Sequence, residues 1–149
     1  MRPTTVDHKV EVFISSSLGD KYKIVRNALR TLLLETNMTE VYAFEHQAAS
    51  SRPPADNYLD KLEDSDIIVF LIDSAEDVHP GVLQEHLRAR NLKKKSIYLF
   101  CNEYKKDPPP IQLELRNAAE VKYDTVDSFA ELAEKAYRAV MSDITEIYQ

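Results

Sequence analysis

The chain has one cysteine, Cys101, which cannot build an internal disulfide framework and suits a reducing compartment. Long apolar runs are also missing. Nothing approaches the ~20 residues of a membrane span, and Met1 to Lys9 lacks the apolar stretch of a signal peptide. Positive charge is in deficit: 19 Lys and Arg against 25 Asp and Glu give a net charge of −6, which argues against general nucleic-acid binding. His8, His46, His79 and His86 show no metal-ligand spacing with Cys101 or the carboxylates, so no metal site is expected. No G-x-S-x-G elbow of a serine hydrolase is present. These absences lead to the expectation of a cytoplasmic protein with no nucleic-acid or membrane partner and no tightly bound cofactor.

What remains is ordinary for a globular protein. With 149 residues, 44% hydrophobic and 30% charged, the chain is expected to form one domain over residues 1–149. Val10 to Ile14 is β-branched and aromatic and reads as a buried strand, followed by a turn from Ser15 to Asp20. Ile24, Val25, Ala28, Leu29, Leu32 and Leu33 then recur at helical spacing, and Asn37 closes that helix. Val41 to Phe44 is a short second strand. A polar loop from Glu45 to Asp56 leads to a short helix marked by Tyr58, Leu59 and Leu62.

Ile67 to Ile72 is the most apolar run in the chain, as expected of a central parallel strand buried on both faces. Pro80 opens a third helix that continues through Leu92. Ile97 to Cys101 is a fourth strand, the segment Ile111 to Arg116 is left unassigned, and Ala119 to Tyr123 is a fifth strand. A last helix carries Val126, Phe129, Ala130, Ala133, Tyr137, Val140, Met141 and Ile144. Strands alternating with helices give an α/β class. Five strands favour the flavodoxin-like three-layer fold, mainly parallel, in the order 2-1-3-4-5, with strand 5 open to an antiparallel or edge exception.

In such a sheet, ligands bind outside the carboxyl ends of the strands where the order reverses, here between strands 1 and 3. Ser15 to Asp20, Asp73 to Asp77 and the start of the third helix gather there, and the loop after strand 2 opens on the same edge. Ser15, Ser16 and Ser17 lead into a helix N-terminus, where free N–H groups favour an anion such as a phosphate. A turn that only caps the helix explains them equally well. The segment is neither a P-loop nor a G-x-G-x-x-G fingerprint, since it holds only Gly19.

Glu85 is the sharpest single residue. Val82, Glu85, Ala89 and Leu92 fall on one helical stripe, so a carboxylate interrupts a face able to pack on the sheet. The alternative buried stripe is Leu83 and Leu87, which would leave Glu85 a surface residue near a helix N-terminus. Arg88, Arg90, Lys93, Lys94 and Lys95 read as a solvated helix end, and Cys101 as a small core residue. The last helix, counted from Val126, would be about 35 Å long. Its apolar stripe reaches Ile144, Ile147 and Tyr148, as expected of a helix that packs on a partner or a following domain.

Val12 to Ser17 with Asp20 resembles the "VFISS…D" opening of a TIR-like domain family found at the front of STAND-type and NACHT-type ATPase proteins. Asp64 to Ile72 is similar to that family's "SDIiV" third strand, and Gly81 to Ala89 to the GxxxExxxA pattern shared by TIR enzymes and nucleoside deoxyribosyltransferases. The resemblance runs from Lys9 to Glu103. It implies a TIR fold and, on Glu85, cleavage of the nicotinamide–ribose bond of NAD as substrate. It further implies that Ser15, Ser16 and Ser17 face phosphates or ribose, while the loop from Glu45 to Tyr58 closes over the base. The ligand-side residues expected around Glu85 are these serines with Asp20, Phe44, Tyr58, Asp73, Ser74 and Gln84. Two departures bear on NAD specificity rather than on the fold. The chain has no tryptophan, and Ser51 to Ala55 replaces the "RDxxPG" loop of receptor TIR domains. The implied partners are a nucleotide and a second copy or an attached ATPase or sensor domain, with a role in antiviral or innate defence. The alternatives are a non-catalytic interaction module and a deoxyribosyltransferase-like enzyme.

Overall fold

A computed structural model describes residues 9–16, 20–43, 54–74, 78–102, 108–115 and 122–147, without the side chains of residues 54–58 and 147. The elements run β1 (Val10–Ser16), α1 (Asp20–Leu34), β2 (Thr39–Tyr42), α2 (Pro54–Asp64), β3 (Ile67–Asp73), α3 (Pro80–Asn91), β4 (Lys95–Cys101), α4 (Pro110–Leu115), β5 (Lys122–Val126) and α5 (Phe129–Ile147). The five strands form one parallel sheet in the order β2-β1-β3-β4-β5. The flavodoxin-like topology expected from the sequence is therefore the one observed, with no antiparallel exception at β5.

Strand alternation divides the core into two layers. Val12 and Ile14 of β1 with Val69 and Leu71 of β3 face α1 and α5, against Val25, Leu29, Ala136 and Val140. Phe13, Ile68, Phe70, Tyr98 and Phe100 face the other way, against Leu62 of α2, Val82 and Ala89 of α3, and Ile111 and Leu115 of α4. All seven residues of β3 are buried, because this strand has neighbours on both edges and helices on both faces.

Several boundaries differ from the sequence-based expectations. Strand β2 spans Thr39–Tyr42 rather than 41–44, and Phe44 lies outside the described residues. Helix α1 ends at Leu34, and Asn37 sits beyond it at φ 59, a left-handed conformation that asparagine tolerates. Helix α2 starts at Pro54, inside the expected loop, since proline fits a first helical turn. The unassigned segment contains the short helix α4, opened by Pro110. Val126, expected in the last helix, is the final residue of β5 and pairs with Cys101. Helix α5 begins at Phe129 and is about 28 Å long. Ile144 on it is buried in this domain's own core, while Tyr148 and the side chain of Ile147 lie outside the described residues.

Candidate functional site

Helix α3 is built to present one face. His79 caps it: its Nδ1 accepts from Gly81 N–H at 2.9 Å, and Pro80 stands in the first turn. A Cβ at position 81 would lie 3.1 Å from that imidazole nitrogen, so glycine leaves room for the cap. The helix is capped at Leu92, with Lys93 at φ 54 and Lys94 N–H donating to Ala89 O. The basic run ties this end down: Arg88 pairs with Glu63 at 2.6 Å, and Lys94 Nζ donates to the carbonyls of Glu63 and Ser65. Val82 and Ala89 are buried while Leu83 and Leu87 are exposed, which selects the first of the two candidate stripes as far as Ala89; Leu92, its last member, is exposed beyond the helix end.

On that face, Glu85 reaches the end of β1. Ser15 Oγ donates to Glu85 Oε1 at 2.8 Å, joining residues 70 positions apart. Burial raises the Glu85 carboxyl from its ordinary value of 4.5 to about 7, and the Ser15 hydrogen bond opposes this by favouring the ionised form. Both protonation states are therefore populated near neutrality.

The serine run divides between the two faces of the sheet, as strand alternation requires. Ser15 points to α3, whereas Ser16 accepts from the guanidinium of Arg26 on α1 at 2.7 Å. Arg26 is 2% exposed, so α1 delivers a buried cation beside the end of β1. Asp73 and Ser74 close β3 on the same carboxyl edge, both buried. Ser74 N–H continues the ladder to Cys101 O, and Ser74 Oγ has no hydrogen-bond partner among the described residues. Asp20 is the exposed first residue of α1, and Gln84 is exposed on α3 beside Glu85. Ser17 lies outside the described residues, as does the side chain of Tyr58 on α2.

Three further residues complete the surroundings of α3. His86 is buried, with Nδ1 2.7 Å from Tyr98 Oη and Nε2 2.9 Å from Glu114 Oε2. Burial holds the imidazole below its ordinary pKa, against the opposing pull of Glu114. The sequence alone offers His86 only as a potential metal ligand. Among the described residues no group of His, Cys, Asp or Glu has the arrangement of a metal site. Arg26 was also missed. The available signal was a cation between Tyr22 and Leu29 on an otherwise apolar stripe of α1.

A groove of about 600 Å³ lies elsewhere, between β5 and α5 on a floor of Ile97 and Leu99. None of the expected site residues lines it. Its cations are already engaged, Lys122 with Asp143, Lys135 with Asp124 and Arg138 with Glu134. The hydrogen-bonded pair of Glu85 and Ser15 at the carboxyl edge of the sheet is the stronger candidate on chemical grounds. Among the described residues no helix is long and apolar enough to cross a membrane.

Comparison with known proteins agrees with this topology. A family described as "Domain of unknown function (DUF4062)" matches residues 11–147. No curated protein matches the chain. Among solved structures, the CMP N-glycosidase BcmB of Clostridium botulinum is similar, with a TM-score of 0.62 and 21% identity, covering 84% of this chain and 95% of that one. The TIR domain heterodimer of RPS4 and RRS1 is similar with a TM-score of 0.53 and 13% identity, covering 89% of this chain and 96% of that one. At these identities the likeness establishes a TIR-like fold.

Proposed function

Because the chain belongs to the DUF4062 family and shares its fold with a nucleotide N-glycosidase and with TIR domains, we propose that it cleaves the N-glycosidic bond of a nucleotide, NAD or a relative of it, with Glu85 as the catalytic carboxylate. One observation carries this reading: the Ser15–Glu85 hydrogen bond sets a carboxylate at the end of β1, on the edge where sheets of this order bind ligands.

The chemistry needs little more. The bond between C1′ and the base nitrogen breaks, its electron pair leaves with the base, and positive charge develops on the sugar. An ionised Glu85 beside C1′ stabilises that charge, and water adds to complete the hydrolysis. The nicotinamide ring is already a cationic pyridinium in NAD and leaves as the neutral base without a proton, so that reaction uses the carboxylate form and gains rate as pH rises through about 7. A neutral base leaves more readily when protonated. The protonated Glu85 present below about pH 7 is a donor for it, so activity on such a nucleotide declines above that pH. Assembly with a second copy or within an ATPase-linked host protein, in a defence response, fits the same reading.

The test is incubation of concentrated or artificially clustered protein with a panel including NAD and CMP, with free base measured by chromatography. The expected outcome is base release that falls at least ~1000-fold in Glu85→Gln, as for loss of a main electrostatic stabiliser. Absence of base release from every nucleotide, even when clustered, refutes the enzyme reading. It leaves the non-catalytic interaction module, which the similarity to a TIR heterodimer favours.

A further inference from the structure

We propose that His86 is a positioning residue: it clamps α3 to β4 through Tyr98 and to α4 through Glu114, and thereby fixes where the Glu85 carboxylate meets Ser15. The inference rests on the N-glycosidase reading and adds to it a group that touches no substrate.

The geometry begins in the sheet. Ser15, Phe70 and Tyr98 stand in register across β1, β3 and β4, and all three side chains belong to the face that α3 covers. Each end of this row makes one polar contact with α3, and the two α3 residues are consecutive. Ser15 holds Glu85 at 2.8 Å, and Tyr98 holds His86 at 2.7 Å. Neighbouring residues on a helix project about 100° apart, so fixing one azimuth fixes the other.

Hydrogen bonding defines the state of the clamp. An ionised Glu114 only accepts, so His86 Nε2 carries the proton and donates at 2.9 Å. Nδ1 is then a lone pair that accepts from the Tyr98 hydroxyl, and a neutral imidazole satisfies both partners without charge. The ring is also held by shape. Phe70 and Tyr98 stack with centroids 4.5 Å apart, and His86 stands edge-on to both at 6.2 and 5.5 Å.

Without this clamp, α3 is held on this face by Val82 and Ala89, two small contacts without direction, and at its C-terminal end by the exposed Arg88–Glu63 pair. A turn of the helix by some tens of degrees displaces a long carboxylate side chain by an ångström or more. A misplacement of that size costs on the order of 100-fold in rate.

The experiment measures kcat and KM for base release in Tyr98→Phe, Glu114→Ala and Glu114→Gln beside the wild type, with urea unfolding of each. Tyr98→Phe removes only the hydroxyl and keeps the stack on Phe70. Glu114 is 59% exposed, so its replacement leaves the fold intact even where a core substitution does not. Each variant removes one of the two anchors of His86, so the expected result is a kcat about tenfold lower, short of the full ~100-fold, in Tyr98→Phe and Glu114→Ala, with KM within about twofold. Glu114→Gln, whose amide oxygen still accepts from Nε2–H, keeps a kcat near that of the wild type. Wild-type kcat in both Tyr98→Phe and Glu114→Ala overturns the positioning role while leaving the N-glycosidase reading intact. A wild type that releases no base from any nucleotide overturns both.

Discussion

Replacing Glu85 with glutamine removes a charge without removing an atom, and its effect on stability has a definite pH dependence. The Glu85 carboxyl is at about 7 in the folded protein against 4.5 as its ordinary value. Between those pH values the folded state binds a proton that the unfolded state has released, so stability falls as pH rises. At 1.36 kcal/mol per pKa unit the whole loss is about 3 kcal/mol at full effect, and about 2 kcal/mol allowing for partial solvent access. Glutamine carries no such charge and still accepts from Ser15 through its amide oxygen. Glu85→Gln is therefore expected to match the wild type at pH 4.5 and to exceed it by about 2–3 kcal/mol at pH 8, with the gain developing mainly between pH 5 and 7. Urea unfolding at a series of pH values reads this directly. A difference that is the same at pH 4.5 and pH 8 refutes the buried, ionisable placement of Glu85.

Other perturbations have equally definite expectations. Ser15→Ala deletes the bond that favours ionised Glu85. The pH midpoint of NAD cleavage is then expected to move to more alkaline values, with turnover at pH 7 down about tenfold. Lys93→Gly relieves a non-glycine residue at φ 54 after α3 and is expected to stabilise the fold by about 0.5–1 kcal/mol in urea titrations. Leu29→Ala empties a fully buried position between α1 and the sheet and is expected to cost about 2–5 kcal/mol.

The legible parts of the sequence were those where one physical demand dominates. β3 is buried on both faces, so its apolar run was visible, and the strand order followed from the alternation of elements. β5 was misplaced because it is an edge strand with Lys122, Tyr123 and Asp124 exposed, which leaves no apolar run to read. Val126 then looked like the start of the α5 stripe because a buried β-branched residue fits either pattern. Glu85 stood out as a carboxylate on a packing face, and its meeting with Ser15 follows from the topology. The partners of His86 did not stand out, since Tyr98 sits inside an apolar strand and Glu114 on a helix of six residues. Such a network is defined by tertiary placement, which periodicity along the chain does not encode.

The central claim is that a nucleotide occupies the carboxyl edge above Ser15 and Glu85. Amide chemical shifts of isotopically labelled Glu85→Gln protein, which holds substrate without turning it over, test it most directly. On addition of NAD or CMP, the largest changes are expected at Ser15, Ser16, Ser74 and position 85. No change at millimolar nucleotide, or changes confined to the groove of Lys122, Lys135 and Arg138, would contradict it.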